Sequence, residues 1–462
     1  MKKHIHTALF LIALPGIFIP GKATEPDTAF NNQFRQEIGG WIAADATYSI
    51  HLPDGRTLWL FGDTFIGEVN PDNSIKDGSD FIRNSGVIQD GEQLETLYSG
   101  TRNNPSAFIP TPHPDSTWYW PEHGVVENDS LRVFVAKFRH DDTGTPGFNF
   151  AHAGNDIAVF TYPGLEFIYS TPINAHGHNG VLYGNRILAD TSYTYIYGRK
   201  SDPEHNIPYP HIARASNGNV HNQEWEYYDG NSWSADPATS QRINDFQVSQ
   251  QYSVSTYRGK YILLTQDIWL SPDIYSFTSV SPTGPWSGQR KLFTTPETLG
   301  DTWTYNAYAH PQFNRDGELL VSYNVNGDFF SIFNNVEIYR PRFIRIPYMN
   351  MDFAFWPNRL NPGSAVTRGT IKAYPNPVES RVTIEYPSTG AAPARLEIIN
   401  THGTMVKSTP LPGEYNTALQ PDGSTQAGTA RITLDLEGLP PGIYVCRVVT
   451  GNRVQTIPIL KK

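Results

Sequence analysis

The sequence predicts an all-β protein in which a five-bladed β-propeller is followed by a small C-terminal β-sandwich. Aromatic residues make up 13% of the chain and charged residues only 17%. Short runs rich in Val, Tyr, Phe and Trp alternate with Gly, Asn, Asp and Pro, which is typical of strands joined by turns. Segments with the period of a helix are scarce.

Tight turns recur along the first part of the chain. Their spacings of about 74, 61, 69 and 58 residues form a crude repeat of the kind found in propellers. Each turn would join the central strands of a four-stranded blade. A β-sandwich or two stacked barrels would also space hairpins evenly, and this alternative stays open. The predicted turns centre near residues 54–55, 128–129, 189–190, 258–259 and 316–317.

The N-terminal residues have the pattern of a targeting segment, and the rest of the chain divides into further segments. Lys2 and Lys3 precede an apolar run over residues 8–20 and small residues up to Ala23, which indicates a secretory signal peptide. No other run approaches the roughly 18 apolar residues that a membrane span needs, so we expect none in the mature protein. The predicted segments are a signal peptide (1–23), a leader (24–39), the propeller (40–347), a linker (348–371) and the sandwich (372–462).

Charge and composition exclude several functions. The net charge is −10, from 45 acidic and 35 basic residues, and no basic stripe is present to neutralise phosphates, so we expect no nucleic-acid partner. The single cysteine, Cys446, permits no internal disulfide. Phosphate-binding loops, serine-nucleophile elbows, zinc-protease motifs and dinucleotide fingerprints are absent. Hydrolysis by carboxylates is the chemistry that remains.

The first hairpin predicts a pair of facing acids. A symmetric turn at Asp54-Gly55 pairs residue 52 with 56 and 50 with 58, and therefore Asp45 with Asp63. Cross-strand partners have Cβ atoms roughly 4.5 to 5.5 Å apart. Two carboxylates this close titrate as a coupled pair, as general acid and base catalysis requires. Glycoside hydrolysis commonly uses two such carboxylates.

Structural roles would also explain the two acids. They are a shared calcium ion, capping of a turn by one Asp, or a salt bridge to Arg83. Calcium usually takes six to eight oxygen ligands, and no Asp-rich loop lies nearby. We therefore expect no cofactor and no catalytic metal, and a structural calcium ion is left open. His176-Gly177-His178 resembles a metal-binding pair, but the sequence around it lacks the acidic residues that a metal site would add.

Other side chains are candidates for binding a sugar. Ring faces pack on the apolar face of a saccharide, and polar groups at a channel mouth hydrogen-bond its hydroxyls. Most aromatic residues in such a chain nevertheless form the core, and each polar residue also has a structural interpretation. The substrate-binding candidates are Trp41, Arg83, Asn84, Trp118, Trp120, His176, Tyr305, Asn306 and His310.

The tail of the chain resembles the C-terminal sorting domain of the type IX secretion system of Bacteroidetes. The resemblance covers about residues 371–462 and rests on Tyr-Pro-Asn-Pro at 374–377, Pro-Gly-Ile-Tyr at 441–444 and the closing residues Lys461 and Lys462. It implies contact with the type IX machinery and export to the cell surface or the medium. The tail would then direct export of the protein and take no part in catalysis.

The first part of the chain, about residues 39–347, resembles the propeller families called domains of unknown function 4185 and 5005. The resemblance rests on residues 40–41, 44–45, 54–65 and 84–85, and near the last blade on 305–311 and 320–326. The first of these families includes endo-acting arabinofuranosidases, which implies hydrolysis of a polysaccharide or oligosaccharide. Asp45 and Asp63 carry over as motif residues.

Glu122 is a candidate third acid. It lies in the aromatic segment 118–124, and five-bladed enzymes of glycoside hydrolase family 43 draw three acids from separate blades. By this analogy Glu122 would be the proton donor. The alternative is a lone Glu exposed at the end of a strand.

Together these observations favour a secreted glycoside hydrolase that acts on a furanose-rich polysaccharide of the arabinan or arabinogalactan type. The catalytic candidates are Asp45, Asp63 and Glu122. A surface propeller that binds glycans without cleaving them is the second hypothesis. A module that recognises protein in adhesion is the third.

Overall fold

The computed structural model describes residues 23–142, 149–268, 270–298, 302–315, 317–351, 371–388, 394–400, 405–411, 428–450 and 453–462. The predicted signal peptide, apart from Ala23, and most of the predicted linker lie outside these residues. The described chain is nearly all β. No helix within it is long and apolar enough to cross a membrane. Its α-helices are Thr28–Gln33, Asn174–Asn179 and Phe329–Asn334, and its 3-10 turns are Val220–Asn222, Pro237–Thr239, Pro311–Phe313, Val336–Tyr339 and Tyr348–Asn350.

Five antiparallel sheets, called sheets 1 to 5 here, follow one another along the chain. Sheet 1 contains Tyr48–His51, Thr57–Phe61, Ser85–Asp90 and Gln93–Leu97. Sheet 2 contains Thr117–Glu127, Ser130–His140, Phe150–Thr161 and Phe167–Pro172. Sheet 3 contains Leu182–Ala189, Tyr193–Ser201, Pro208–Ser216, Glu226–Tyr228 and Trp233–Ser234. Sheet 4 contains Tyr252–Tyr257, Lys260–Gln266, Asp273–Ser279 and Ser287–Thr294. Sheet 5 contains Trp303–Ala309, Glu318–Asn326, Pro341–Pro347 and the N-terminal strand Glu25–Pro26.

Two smaller sheets extend the first part of the chain. One joins Trp41–Ala44, Thr64–Ile66 and Asp80–Ile82, and the other joins Ser99–Thr101 and Asn104–Ser106. The three-stranded sheet continues the first hairpin beyond sheet 1. It therefore lies beside the two candidate acids.

The predicted turns explain the hairpins of the first four sheets. Each predicted centre from 54–55 to 258–259 lies between the first two strands of a sheet. Asn128 and Asp129 both adopt left-handed φ angles, 49° and 57°, as a two-residue type I′ turn requires. In sheet 5 the first strand already ends at Ala309, and the 3-10 turn Pro311–Phe313 follows. A tight turn nevertheless lies at the predicted centre 316–317, because the amides of Arg315 and Glu318 each donate to the other's carbonyl, at 3.2 and 2.7 Å.

The first strands of the five sheets lie side by side. Each contacts the first strand of the next sheet, from sheet 1 to sheet 5. Sheet 5 returns to sheet 1, because the rings of Tyr308 and Tyr48 lie 4.7 Å apart and the His310 imidazole is 2.6 Å from Ser49 Oγ. The domain is therefore β-propeller-like.

The segment predicted as a leader is instead part of this fold. Glu25 pairs with Arg345 in sheet 5. Asp27 caps the helix Thr28–Gln33 through the amide of Phe30, and its other oxygen accepts a 2.6 Å hydrogen bond from Arg345 Nε. Phe34 is fully buried. Breaking a buried ion pair of this kind typically costs about 3–5 kcal/mol. The segment therefore stabilises sheet 5 and is not a separate leader.

The C-terminal part forms two antiparallel sheets around a separate core. One sheet contains Lys372–Tyr374, Arg381–Ser388 and Gly428–Asp435. The other contains Met405–Leu411, Ala394–Asn400, Gly442–Thr450 and Arg453–Lys461. Apolar residues of both sheets, such as Val382 and Leu396, belong to one buried cluster that also holds Cys446.

Candidate functional site

The first hairpin has the predicted register on both sides of the two acids. Tyr48 pairs with Leu60 and Ile50 with Leu58 in sheet 1, and Ala44 pairs with Thr64 in the small sheet beyond. Between these ladders, the amide of Gly62 donates to the carbonyl of Asp45 at 3.0 Å. Asp45 and Asp63 therefore occupy opposing positions where the hairpin leaves one sheet and enters the next.

The chain is strained beside Asp45. Ala46 and Thr47 adopt φ angles of 72° and 55°, a left-handed conformation that costs energy for residues with a Cβ. Other sheets hold this bend: Gln251 donates to the Ala46 carbonyl, and Asn324 Nδ2 donates to Thr47 Oγ1 at 3.0 Å. Strain supported in this way clusters at functional sites.

Each acid is held by donors from other sheets. Asp45 Oδ2 accepts a hydrogen bond from the Tyr305 hydroxyl at 2.7 Å. Asp63 Oδ1 accepts from Trp120 Nε1 at 3.0 Å, and its Oδ2 is 3.3 Å from Arg83 Nη1. A Cβ at Gly62 would come within 2.5 Å of Asp45 Oδ1, so only glycine leaves room for this carboxylate.

The surroundings raise the pKa of both carboxyl groups. Burial raises the pKa of Asp45 to about 7, and the charge of Asp63 adds to this, while hydrogen bonds from Tyr305 and Tyr339 act in the opposite direction. Burial raises the pKa of Asp63 to about 6, against the attraction of Arg83 and the hydrogen bond from Trp120. Near neutral pH the pair therefore tends to hold one proton, with one acid protonated and the other ionised.

Aromatic rings line the site on the side of Asp63. Trp120 is partly exposed, and its ring lies 4.4 Å from that of Phe138 and 5.0 Å from that of Phe150. Trp118 is buried, and the Arg83 guanidinium lies over its ring at 4.4 Å. Arg83 thus bridges an aromatic surface and a carboxylate.

Glu122 lies apart from this pair, inside the ring of sheets. It is only 3% exposed, so the alternative of an exposed strand end is wrong. Its Oε1 is 2.6 Å from Arg199 Nη1, and the same Nη1 donates to Asn185 Oδ1 at 2.8 Å. Glu122 Oε2 is buried without a partner and faces Gly184, where a Cβ would lie 2.5 Å away. Burial raises the pKa of Glu122 while Arg199 opposes the shift.

Three substrate-binding predictions are corrected by burial, since the side chains are 0% exposed. The ring of Trp41 packs against Phe61, with centroids 5.1 Å apart. Asn84 Nδ2 donates to the carbonyls of Ile109 and Tyr119. The two ring nitrogens of His310 contact the hydroxyls of Ser49 and Ser322. All three residues join neighbouring elements of the fold and cannot reach a ligand.

The remaining polar candidates are partly exposed. Asn306 adopts a left-handed φ of 59° beside Tyr305. His176 lies in the short helix Asn174–Asn179, 5.2 Å from the ring of His152. Their roles stay predictions. Among the described residues, no group of three or more His, Cys, Asp or Glu could hold a metal ion.

Two residues of the site escaped the sequence analysis. Tyr339 lies close enough to Asp45 to lower the pKa of that carboxyl group, and Asn326 Nδ2 donates to the Tyr305 hydroxyl at 3.0 Å. Both come from sheet 5 or the connection within it, far from Asp45 in the chain. They reach Asp45 because sheet 5 lies beside sheet 1, which no local pattern reveals.

Several solved structures are similar to this chain, and the first of them shares its fold. A crystal structure described as a candidate hydrolase from Bacteroides ovatus ATCC 8483 is 22% identical, with a TM-score of 0.59, and covers 74% of this chain and 97% of that chain. A family GH43_1 enzyme from Xanthomonas citri is 14% identical, with a TM-score of 0.39, and covers 69% and 92%. An exo-beta-1,3-galactanase from Phanerochaete chrysosporium is 12% identical, with a TM-score of 0.35, and covers 91% and 96%. No curated protein matches the sequence.

Two family matches cover most of the chain. Residues 372–462 match the secretion system C-terminal sorting domain. This domain sends proteins through the type IX secretion system, and the protein is therefore delivered to the cell surface or beyond it. Residues 27–356 match the family described as a domain of unknown function, DUF5005. Since this match spans more than half of the sequence, the chain belongs to the DUF5005 family.

Proposed function

We propose that the protein is a secreted glycoside hydrolase that acts on a furanose-rich polysaccharide of the arabinan or arabinogalactan type. The observation that carries the proposal is the pair Asp45 and Asp63. They face each other across a strained hairpin, and burial raises the pKa of one to about 7 and of the other to about 6. Two carboxyl groups with different pKa values near neutrality suit acid and base roles in glycosidic bond cleavage.

The geometry favours distinct roles for the two acids. Asp45 has the higher pKa and holds the proton longer, so it donates that proton to the leaving glycosidic oxygen. Asp63, kept ionised by Arg83 and Trp120, faces the sugar carbon or the water that attacks it. Cleavage consumes one water, and the proton released from that water restores the pair. Tyr305 and Tyr339 position Asp45 and take no proton themselves.

Glu122 has no place in this reaction. Its carboxylate is buried against Arg199, and its partners are not those of Asp45 and Asp63. We assign it to the network that fills the centre of the ring. The substrate would contact Trp120, Arg83, Asn306 and His176, whose side chains are partly exposed.

The architecture that supports this site is a five-bladed propeller with sheets 1 to 5 as blades. The N-terminal strand Glu25–Pro26 closes the last blade. The two C-terminal sheets form a β-sandwich that directs export of the protein. The proposed hydrolysis needs no cofactor.

The test measures cleavage and binding in parallel. The purified mature chain and its Asp63→Asn variant are incubated with linear arabinan, arabinogalactan and galactan. Reducing sugars report cleavage, and retardation in polysaccharide-containing native gels reports binding. We expect the wild type to release product and the variant to bind without release. Equal release by both proteins would overturn the assignment of the pair.

A glycan-binding protein without activity is the second candidate. It is favoured by the donors that already occupy both acids, Tyr305 at 2.7 Å and Trp120 at 3.0 Å. Carboxylates held in this way suit acceptance of hydrogen bonds from sugar hydroxyls. Binding by the wild type without any product release would select this function.

A further inference from the structure

The structure exposes aromatic rings beside the candidate acids. Phe329 is 59% exposed and Phe330 is 81% exposed, and both lie on the helix Phe329–Asn334. Phe333 on the same helix is 37% exposed, and Phe81 of the small sheet is 42% exposed. Exposed apolar groups that cluster usually mark a binding surface. We call these four residues the phenylalanine platform.

The platform is anchored to the hairpin that carries the two acids. Phe65 follows Asp63 by two residues and is buried, and its ring lies 5.1 Å from Phe81 and 5.4 Å from Phe333. Phe329 and Phe333 lie 4.8 Å apart. A continuous set of rings therefore leads from the candidate site to the exposed helix.

Both ends of the segment that contains the helix touch the surroundings of Asp45. At its start, Asn326 hydrogen-bonds the Tyr305 hydroxyl, which in turn donates to Asp45. At its end, Tyr339 is buried and lies close enough to Asp45 to lower the pKa of that carboxyl group. The segment is also tied to the loop opposite, because the amide of Ile75 donates to the Phe333 carbonyl at 2.8 Å. Contacts on both sides therefore hold the helix Phe329–Asn334 in place beside the candidate site.

Polar groups lie next to the rings, as a saccharide requires. A depression of about 490 Å³ beside the helix is lined by residues 70, 74–77, 333 and 334, including Asn70, Ser74 and Asp77. This volume falls in the usual range of ligand sites. Lys76 and Asp77 line it with opposite charges, so the depression presents no single sign of charge to an ionic chain and suits a neutral one.

We infer that the phenylalanine platform binds the sugar units of a neutral polysaccharide at a distance from the bond that is cleaved. This rests on the proposed function, because the platform is continuous with Asp63 and Arg83 rather than with a separate site. Phe81 joins the two regions: the Arg83 guanidinium lies 5.6 Å from its ring and 3.3 Å from Asp63. The preferred substrate is therefore a polymer, and short oligosaccharides leave the platform empty.

The test compares a polymer with a short substrate. The Phe329→Ala/Phe330→Ala double variant and the single Phe330→Ala variant are measured against wild type on linear arabinan, linear galactan and arabinotriose. Tyr169→Ala is the matched control, since Tyr169 is 52% exposed on the outer strand of sheet 2. We expect the double variant to lose about tenfold in polymer affinity, the scale of one lost aromatic contact. Its action on arabinotriose should match that of the control.

The outcomes separate the two proposals. Unchanged polymer affinity in the double variant, with Asp63→Asn inactive, would overturn the platform and leave the hydrolase intact. Polymer binding that depends on the platform, with no product from the wild type, would support the platform and overturn the hydrolase. No binding and no product from wild type would overturn both. A change in sedimentation between wild type and double variant would assign the face to a second copy of the chain and overturn the platform.

Discussion

Replacing Asp63 with Asn should stabilise the folded protein above neutral pH while abolishing its proposed activity. The Asn side chain keeps an oxygen to accept from Trp120 Nε1, which lies 3.0 Å from Asp63 Oδ1. It removes the charge that burial disfavours and that raises the pKa of Asp45. A residue kept at a cost to stability is what the proposed catalytic role requires.

The magnitude follows from the pKa of Asp63. Folding raises this pKa from 3.8 to about 6, and one pH unit corresponds to about 1.4 kcal/mol. The full effect is therefore on the order of 3 kcal/mol. The value of about 6 already contains the attraction of Arg83, and screening by water at a side chain that is 16% exposed reduces the effect, so we expect about 1–2 kcal/mol. The folded state binds this proton more tightly than the unfolded state, so stability falls as pH rises from about 3.8 to about 6 and is constant above that range.

Thermal unfolding of the full chain measures the effect. All ten tryptophans lie within residues 27–356, so their fluorescence follows the N-terminal domain and not the sorting domain. For a domain of about 330 residues, 1–2 kcal/mol corresponds to a rise in Tm of about 2 °C. We expect this rise for Asp63→Asn at pH 8, about half of it at pH 5, where Asp63 is ionised in the unfolded state but mostly protonated in the folded state, and none below about pH 3.8.

Asp54→Asn is the matched control from the same hairpin. A hydrogen bond from Arg56 lowers the pKa of Asp54, so its removal should lower the Tm at pH 8 slightly or leave it unchanged. If Asp63→Asn gave the same change in Tm at pH 5 and pH 8, the pKa of Asp63 would not be raised as described. A loss of stability at pH 8 would contradict the reasoning outright.

Three further variants test other parts of the site. Gly62→Ala places a Cβ within 2.5 Å of Asp45 Oδ1 and should lower kcat about 100-fold without changing the near-UV circular dichroism. Tyr305→Phe removes a hydrogen bond that lowers the pKa of Asp45, so the alkaline limb of the kcat/KM profile should move up by about one pH unit. Arg199→Met leaves the Glu122 carboxylate buried and unpaired and should cost about 3–5 kcal/mol in denaturant unfolding. Adding Glu122→Gln to that variant should recover most of the loss.

The hairpin and its facing acids could be predicted because their causes are local. The Asp54-Gly55 turn and the alternation of apolar residues set one register, and slipping by one residue would turn every side chain to the wrong face. The same local signals placed the turns of sheets 2, 3 and 4. The resemblance of the tail to a sorting domain rests equally on short motifs, and the match over residues 372–462 confirms it.

What escaped prediction depends on contacts between distant parts of the chain. The bend at Ala46 and Thr47 is held by Gln251, which directly precedes sheet 4, and by Asn324 of sheet 5. Burial of Trp41 and the Arg199 partner of Glu122 are also products of packing between elements. An exposed tryptophan and a core tryptophan look alike in sequence, so the sugar platform predicted at Trp41 was wrong.

The central claim is that Asp45 and Asp63 together cleave a glycosidic bond. Its most direct test is kcat for the full chain on linear arabinan, with Asp45→Asn, Asp63→Asn, Glu122→Gln and Asp54→Asn measured side by side. We predict that each of the first two variants loses at least about 100-fold, the range of general acid and base catalysis, and that Asp54→Asn retains the wild-type kcat. Full kcat in Asp45→Asn or Asp63→Asn, or a loss confined to Glu122→Gln, would contradict the claim.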